Sequence, residues 1–224
     1  MRITKNSFEN KLANNELVIS IIGMSNIGKT HWAKKLKNLE FEHKCCDDLI
    51  EKILEPELQA LGYKGLADLA KWLGYPYEDK LMVNQQQYIQ HECAVMENLL
   101  KELGSKTNKN ITIDTTGSVI YTGDYICKRL KEKSLIVFIE STPQMQTEMF
   151  QRFLSNPKPI VWAHSFTKKE KEDNPAALKR CYPELLKYRT SQYRRHADII
   201  IPYKRIEKDH TAEQFLELIK SYLH

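Results

Sequence analysis

The chain has 224 residues, and its 34 lysines and arginines against 29 aspartates and glutamates give a net charge of +5. With 42% hydrophobic residues, eight glycines and eight prolines, the composition excludes a disordered chain and provides for a substantial core. The five cysteines have no C-x-x-C spacing, which argues against a zinc site or a disulfide framework and favours reduced packing residues.

Charge and hydropathy also limit the partners. No apolar run approaches the roughly 18 residues that a transmembrane helix needs, and the N-terminus has no signal-peptide core. The basic residues are spread along the chain, whereas nucleic-acid binders concentrate them in a stripe. We therefore expect one cytoplasmic domain over residues 1–224 with a small anionic ligand, no membrane partner and no nucleic acid. The oligomeric state stays open.

The first predicted strand covers residues 17–22, after an irregular lead-in through Lys11. Leu17-Val18-Ile19-Ser20-Ile21-Ile22 is the short β-branched run of a buried parallel strand. The segment from Thr30 to Leu36 is free of Gly and Pro and predicts a helix.

Between that strand and that helix lies a complete G-x-x-x-x-G-K-T phosphate loop. In such a loop, backbone N–H groups surround the phosphates, the lysine adds a charge, and the Thr hydroxyl can ligate Mg²⁺. The predicted nucleotide-binding residues are Gly23, Met24, Ser25, Asn26, Ile27, Gly28, Lys29 and Thr30.

A second predicted strand, residues 41–46, is followed by two acids. Asp47 can orient or deprotonate the hydroxyl of a phosphate acceptor. Two acids before a helix are equally typical of an N-terminal cap, and Asp48 is the second candidate for either role.

Residues 47–104 then read as several helices in succession. Pro56 is expected to begin a new turn, Leu66–Leu73 repeats the apolar helical pattern, and Gln86–Leu103 forms a longer helix followed by Gly104. We expect this helical insertion to form a lobe that binds the phosphate acceptor.

The third predicted strand, residues 111–114, ends at Asp114. This places Asp114 at the carboxyl edge of the sheet, where it could hold Mg²⁺ together with Thr30 or could cap the next turn. Further strands at 134–139 and 198–201 complete a five-stranded parallel sheet. Alternation with helices predicts a three-layer α/β/α fold.

Cationic side chains complete the candidate site. Residues 155–175 form a long charged connection, which predicts a lid, with a solvated surface excursion as the alternative. Lys158 in this lid could cover the phosphates, Arg152 could contact the nucleotide, and Arg189 could bind an anionic acceptor.

Several short motifs resemble those of shikimate kinases, within the P-loop small-molecule and nucleoside monophosphate kinases. Asp47-Asp48-Leu49-Ile50-Glu51 is similar to the family's D-x-D-x-x-I-E, and Thr115-Thr116-Gly117 stands at its Gly-Gly-Gly loop. Lys158-Pro159-Ile160-Val161 resembles its R-P-L-L. Arg189 with Tyr193 and Ala197-Asp198 reproduces R-x-x-x-Y-x-x-x-A-D.

The resemblance implies a kinase that uses ATP and Mg²⁺. Lys29 and Lys158 would neutralise developing charge, Asp47 would contact the acceptor hydroxyl, and Gly117 and Arg189 would bind the acceptor. Two positions depart from the family's pattern. Cys45 replaces its first acid, and Ile89, in Tyr88-Ile89-Gln90-His91-Glu92, replaces the arginine of F-R-x-x-E.

Three functions remain open from the sequence. The first is phosphorylation of a hydroxyl on a small, anionic metabolite. The second is a nucleoside, nucleotide or polynucleotide kinase, with base stacking on Trp72, Tyr75 or Tyr77. The third is a nucleotide-binding regulator that lacks acceptor chemistry.

Overall fold

The structure is a computed structural model that describes residues 3–103, 108–156, 158–207 and 209–224. Side chains of residues 65–67 are outside this description.

A parallel sheet of five strands forms the middle of the fold, in the order β2-β3-β1-β4-β5. Buried β-branched residues favour strands β1, β3 and β4, because both faces of a parallel sheet are covered. The predicted strands are confirmed to within one residue at each end. Their bounds are Val18–Ile22 for β1, Glu42–Cys45 for β2, Ile111–Asp114 for β3, Leu135–Glu140 for β4 and Ile199–Pro202 for β5.

Helices flank this sheet and give the predicted three-layer α/β/α fold. Helix α2 packs on β1 and β3, whereas α6 and α8 pack on β4. The helices are α1 (Lys5–Ala13), α2 (Lys29–Leu36), α3 (Cys46–Ala60), α4 (Gly65–Leu73), α5 (Lys80–Glu102), α6 (Asp124–Lys133), α7 (Pro143–Ser155), α8 (Asn174–His196) and α9 (Ala212–Ser221).

The expectation of an irregular N-terminal lead-in is wrong, because residues 5–13 form helix α1. The Thr4 side chain caps its first turn, and Phe8, only 1% exposed, joins the core. The Asn110 amide donates to Leu12 O and its oxygen accepts from Leu17 N, which ties α1 to the sheet. One buried aromatic residue among polar ones makes too weak an apolar pattern to indicate a helix.

Helices α3, α4 and α5 form the insertion between β2 and β3. Pro56 begins no new turn, since it lies inside the continuous helix α3. Ile50, Leu54 and Leu58 recur every four residues and are buried, and their packing carries the helix past the proline. Helix α5 begins at Lys80, before the predicted Gln86, and Gly104 lies outside the described residues.

Candidate active site

The phosphate loop joins β1 to α2 and is shaped by its second glycine. Gly28 is the N-cap of α2 with φ of +98°, a conformation that strains any residue with a Cβ. The helix starts at Lys29, so the N–H groups of Lys29 and Thr30 belong to a helix N-terminus, which attracts anions. Gly23 and Ile27 are buried beneath the loop, whereas Ser25, Asn26 and Thr30 line the cleft above it.

Lys29 folds back over this loop. Its side chain is 6% exposed, and Nζ donates a hydrogen bond to Met24 O at 3.1 Å. Burial lowers the pKa of Lys29, and attraction to Asp47 and Asp114 opposes that shift. Both carboxylates that the sequence selected therefore act electrostatically on the Lys29 ammonium.

Asp47 and Asp48 lie in the first turn of α3, and Cys45 is its N-cap residue. The interpretation of either acid as the N-cap is therefore wrong, because the helix already begins at Cys46, two residues before the start that Asp47 as N-cap would give. Burial raises the pKa of Asp47, while Lys29 opposes the shift. The Tyr88 hydroxyl donates to Asp47 Oδ1 at 3.4 Å.

Asp114 is the last residue of β3 and is only 1% exposed. Over the described residues, neither of its carboxylate oxygens has a hydrogen-bond partner, and the nearest basic group is His43 Nε2, 3.5 Å from Oδ2. A buried carboxylate without partners is costly unless it binds a cation. This orphaned carboxylate and the Thr30 hydroxyl are the oxygen donors that Mg²⁺ prefers, so the residues present fit that ion.

A cleft of about 500 Å³ opens above the phosphate loop. Lys29, Thr30, Asp47, Arg152 and Lys158 line it together. Lys158 Nζ donates to Asn26 Oδ1 at 2.7 Å, so the segment predicted as a lid contacts the phosphate loop directly. The structure thus gathers cations and a carboxylate from four separate parts of the chain.

The segment predicted as a lid is only partly buried: residues 161–162 are buried, whereas residues 167–171 are exposed, as a solvated excursion would be. Val161 and Trp162 are 2% and 1% exposed. On α5, Gln85 Oε1 accepts hydrogen bonds from the backbone N–H groups of Trp162 and Ala163, at 3.2 and 3.1 Å. Sequence patterns do not single out Gln85, because its partners lie more than 70 residues away along the chain.

Arg189 projects from α8 into the protein and is 4% exposed. Its Nη2 donates to Val161 O at 2.6 Å, its guanidinium lies 5.4 Å from the Tyr121 ring centre, and its Nε has no partner in the described chain. A Cβ on Gly117 would lie 3.2 Å from Arg189 Nη1 and 3.0 Å from Ser25 Oγ. Because Gly117 has no side chain, its backbone can approach both Arg189 and Ser25 of the phosphate loop closely.

Glu92 supports the loop around Gly117. This fully buried carboxyl accepts hydrogen bonds from the hydroxyls of Thr116 and of Ser118, the latter at 2.6 Å. Burial raises the pKa of Glu92 to about 7, although both hydrogen bonds oppose the shift. The sequence match to F-R-x-x-E contained Glu92, but only the fold reveals what it holds.

The aromatic residues of the insertion differ in their accessibility. Trp72 is 3% exposed and its indole N–H donates to Glu57 Oε1, so it does not present a free face to a base. Tyr75 and Tyr77 stack on each other with ring centres 5.3 Å apart.

Among the described helices, none is both long and apolar enough to cross a membrane.

No protein-family model and no curated protein sequence matches the chain. Solved structures do match its fold. A shikimate kinase from Acinetobacter baumannii in complex with shikimate is 20% identical, with a TM-score of 0.54, and the match covers 92% of this chain and 93% of that one. For a shikimate kinase from Bacteroides thetaiotaomicron the identity is 14%, the TM-score 0.54 and the coverage 92% and 97%.

A third match is to shikimate kinase from Aquifex aeolicus, at 16% identity, a TM-score of 0.52 and coverage of 91% and 94%. At such identities the likeness speaks for the fold. The chain has the fold of the shikimate kinase-like P-loop kinases.

Proposed function

We propose that this protein is a kinase that uses ATP and Mg²⁺ to phosphorylate a hydroxyl group of a small, anionic metabolite. The observation that carries the proposal is the cleft at the N-terminus of α2 that Lys29, Thr30 and Asp47 line together, where Asp47 and Asp114 both attract the Lys29 ammonium. Likeness to shikimate kinases supports it at the level of the fold. Phosphoryl transfer requires mainly positioning and electrostatic stabilisation, which this arrangement of charges can supply.

Each residue has a role in this mechanism. The N–H groups of the loop from Gly23 to Thr30 bind the phosphates, and Lys29 and Lys158 stabilise negative charge on the transferred phosphoryl group. Thr30 and Asp114 would hold Mg²⁺, which when bound neutralises charge on the phosphate oxygens. Asp47 accepts a hydrogen bond from the acceptor hydroxyl and orients it for attack.

Arg152, on the rim of the same cleft, is the candidate for contact with the nucleotide. Its side chain is 63% exposed and lies 3.7 Å from Glu148, so only a weak surface ion pair holds it in place. Arg152 is therefore free to reorient toward a bound nucleotide.

Arg189 supports an anionic acceptor. Within the described residues, no carboxylate forms an ion pair with this buried guanidinium, and Nε has no partner. Burying a charge without a partner costs roughly several kcal/mol of free energy, and an anionic group beside Gly117 would lower that cost. Gly117 and Arg189 would then form the acceptor-binding side of the site.

The test is ATP consumption with Mg²⁺ against hydroxylated acids including shikimate, sugars, nucleosides and 5′-hydroxyl oligonucleotides. We expect turnover that depends on a hydroxylated acid and disappears in Lys29→Ala. Lys34→Ala, an exposed lysine on the same helix, is the matched control and should retain turnover.

Each alternative predicts a different result in this assay. Turnover with nucleosides or oligonucleotides alone would contradict an anionic metabolite as the acceptor and favour a nucleoside or polynucleotide kinase. ATP binding without turnover across the panel would contradict the kinase proposal and favour a regulator. Turnover that persists in Lys29→Ala would contradict the assignment of the phosphate loop as the active site.

A further inference from the structure

Three side chains with metal-binding atoms meet at the carboxyl ends of β2 and β3. His43 and Cys45 alternate along β2 and therefore share one face of the sheet. Cys45 is paired in register with Asp114 of β3. An imidazole nitrogen, a thiol sulfur and a carboxylate oxygen from these residues all lie within 4.8 Å of one another.

Asp114 is buried and His43 and Cys45 are half-buried, yet these polar groups do not satisfy each other. His43 Nε2 and both Asp114 oxygens have no hydrogen-bond partner in the described part of the protein. The distance from His43 Nε2 to Asp114 Oδ2 is 3.5 Å, which is long for a hydrogen bond. Unsatisfied buried groups that face each other indicate a ligand between them.

The donor set decides which ligand fits. Mg²⁺ selects oxygen donors, whereas a thiolate with an imidazole and a carboxylate suits Zn²⁺ and related ions. Three protein donors with one open position are typical of an accessible zinc site. Cys45 lines the 500 Å³ cleft, which provides a path for the ion.

We propose that His43, Cys45 and Asp114 form a binding site for a thiophilic divalent cation such as Zn²⁺. The ion replaces the thiol proton of Cys45, which leaves as H⁺, and water takes the fourth position. Spacing along the chain could not reveal the site, because Asp114 lies 69 residues beyond Cys45 in the sequence.

This site affects the proposed kinase reaction through Asp114. The same carboxylate is the proposed Mg²⁺ ligand, so an ion held by His43 and Cys45 engages it and competes with Mg²⁺. The consequence for activity rests on the proposed function, whereas the metal site itself does not. We expect Zn²⁺ to inhibit turnover, with less inhibition as Mg²⁺ is raised.

The direct test is metal binding by the full chain without nucleotide. Co²⁺ serves as a spectroscopic substitute for Zn²⁺, since a coordinating thiolate gives a charge-transfer absorption in the near ultraviolet. Zn²⁺ affinity is measured by competition with a chromophoric chelator. We expect the protein to bind one equivalent of Co²⁺ and to show thiolate absorption. Zn²⁺ should displace the Co²⁺, whereas excess Mg²⁺ should leave the thiolate absorption band in place.

Two variants and one control make the test specific. Cys45→Ser should abolish the thiolate absorption and weaken Zn²⁺ binding by about 100-fold or more, the upper end of what loss of an outer-shell partner costs. His43→Gln should weaken binding while it keeps the absorption, and it carries the test if the serine variant does not fold. Cys93→Ser, a half-buried thiol outside the cluster, should bind as the unmodified protein does.

The results separate this proposal from the kinase proposal. Zn²⁺ binding that is unchanged in Cys45→Ser, or a Co²⁺ complex without thiolate absorption, would overturn the metal site. Lys29→Ala should retain the Co²⁺ spectrum even though it loses turnover. A cobalt–thiolate complex in a protein without kinase activity would refute the proposed function and support the metal site.

Discussion

Asp47 is the residue whose chemistry is most sharply defined by its surroundings. Its carboxylate lies in the cleft near Lys29 and receives a hydrogen bond from Tyr88. Replacing it by asparagine preserves shape but removes the ability to accept a proton. We expect Asp47→Asn to lower kcat by about 100-fold or more, since that is the usual contribution of a general base.

The measurement is steady-state kinetics with ATP and the acceptor that supports turnover in the panel assay. The KM for ATP should change little, because Asp47 faces the acceptor. Asp48→Asn is the matched control, because Asp48 is exposed and lies next to Asp47 in the same turn of α3. An unchanged kcat in Asp47→Asn would assign Asp47 a purely structural role in the first turn of α3.

Glu92 predicts how stability depends on pH. Its pKa is raised from 4.5 to about 7 in the folded protein, so the folded state holds its proton over a range where the unfolded state has lost it. The contribution of this group is complete below pH 4.5 and is lost as pH rises through 7. A shift of this size corresponds to on the order of 3 kcal/mol.

Urea unfolding at pH 5 and pH 8 tests this prediction. The side chain of Glu92→Gln cannot ionise. The unmodified protein should therefore lose stability relative to this variant when the pH is raised from 5 to 8. Glu97→Gln, an exposed acid on the same helix, controls for loss of charge. Equal pH dependence in the Glu92→Gln and unmodified proteins would show that another group dominates this range.

The residues of the site differ in how well the sequence predicted them. The phosphate loop and Asp114 were predictable, because a local motif or a strand end fixes their positions. Gln85 and the partners of Glu92 were not, since their contacts join segments that are distant along the chain. The N-cap was assigned wrongly because a carboxylate and a thiol can each precede a helix, and only the backbone shows where the helix begins.

At the scale of an element, Gln85 of α5 holds the buried part of the segment that the sequence predicts as a lid. Removing Gln85 leaves the buried N–H groups of Trp162 and Ala163 without an acceptor. Each unsatisfied donor costs about 1–3 kcal/mol, which corresponds to about a 5- to 150-fold change in an equilibrium. We expect Gln85→Ala to raise amide hydrogen exchange of residues 160–163 within that range.

Hydrogen exchange resolved along the chain is the measurement for this prediction. Gln86→Ala is the matched control, because Gln86 is the next residue of α5 and is exposed. Exchange should stay slow in the β4 core of both variants. Equal exchange of the lid in the two variants would show that the apolar packing of Trp162 holds this segment without Gln85.

The elements themselves were predicted unequally, for physical reasons. Strands β1, β3, β4 and β5 came out to within one residue, because a buried parallel strand needs a short β-branched run with a clear end. The bounds of the helices in the insertion were predicted less accurately. Burial of Leu54 and Leu58 overrides the local effect of Pro56, and α5 extends toward Lys80 through residues without apolar spacing.

At the scale of the whole molecule, helix α1 couples the N-terminal segment to the C-terminal helix. Lys220 of α9 pairs with Glu9 of α1 at 3.0 Å, and α9 also packs on α2, where Phe215 stacks on Trp32. Helix α1 therefore belongs to the same layer as the helix that follows the phosphate loop. The pairing is exposed and weak, so the buried Phe8 supplies most of the attachment.

We expect Phe8→Ala to lower the free energy of unfolding by about 3–5 kcal/mol, the usual cost of removing a buried aromatic ring. Because Phe8 does not line the cleft above the phosphate loop, the KM for ATP should stay unchanged in protein that remains folded. Urea unfolding followed by circular dichroism measures the first quantity, and steady-state kinetics the second. Asn6→Ala, an exposed position in the same turn of α1, is the control and should change stability by less than about 0.5 kcal/mol. A stability for Phe8→Ala equal to that of this control would mean that α1 folds on the surface without supporting the core.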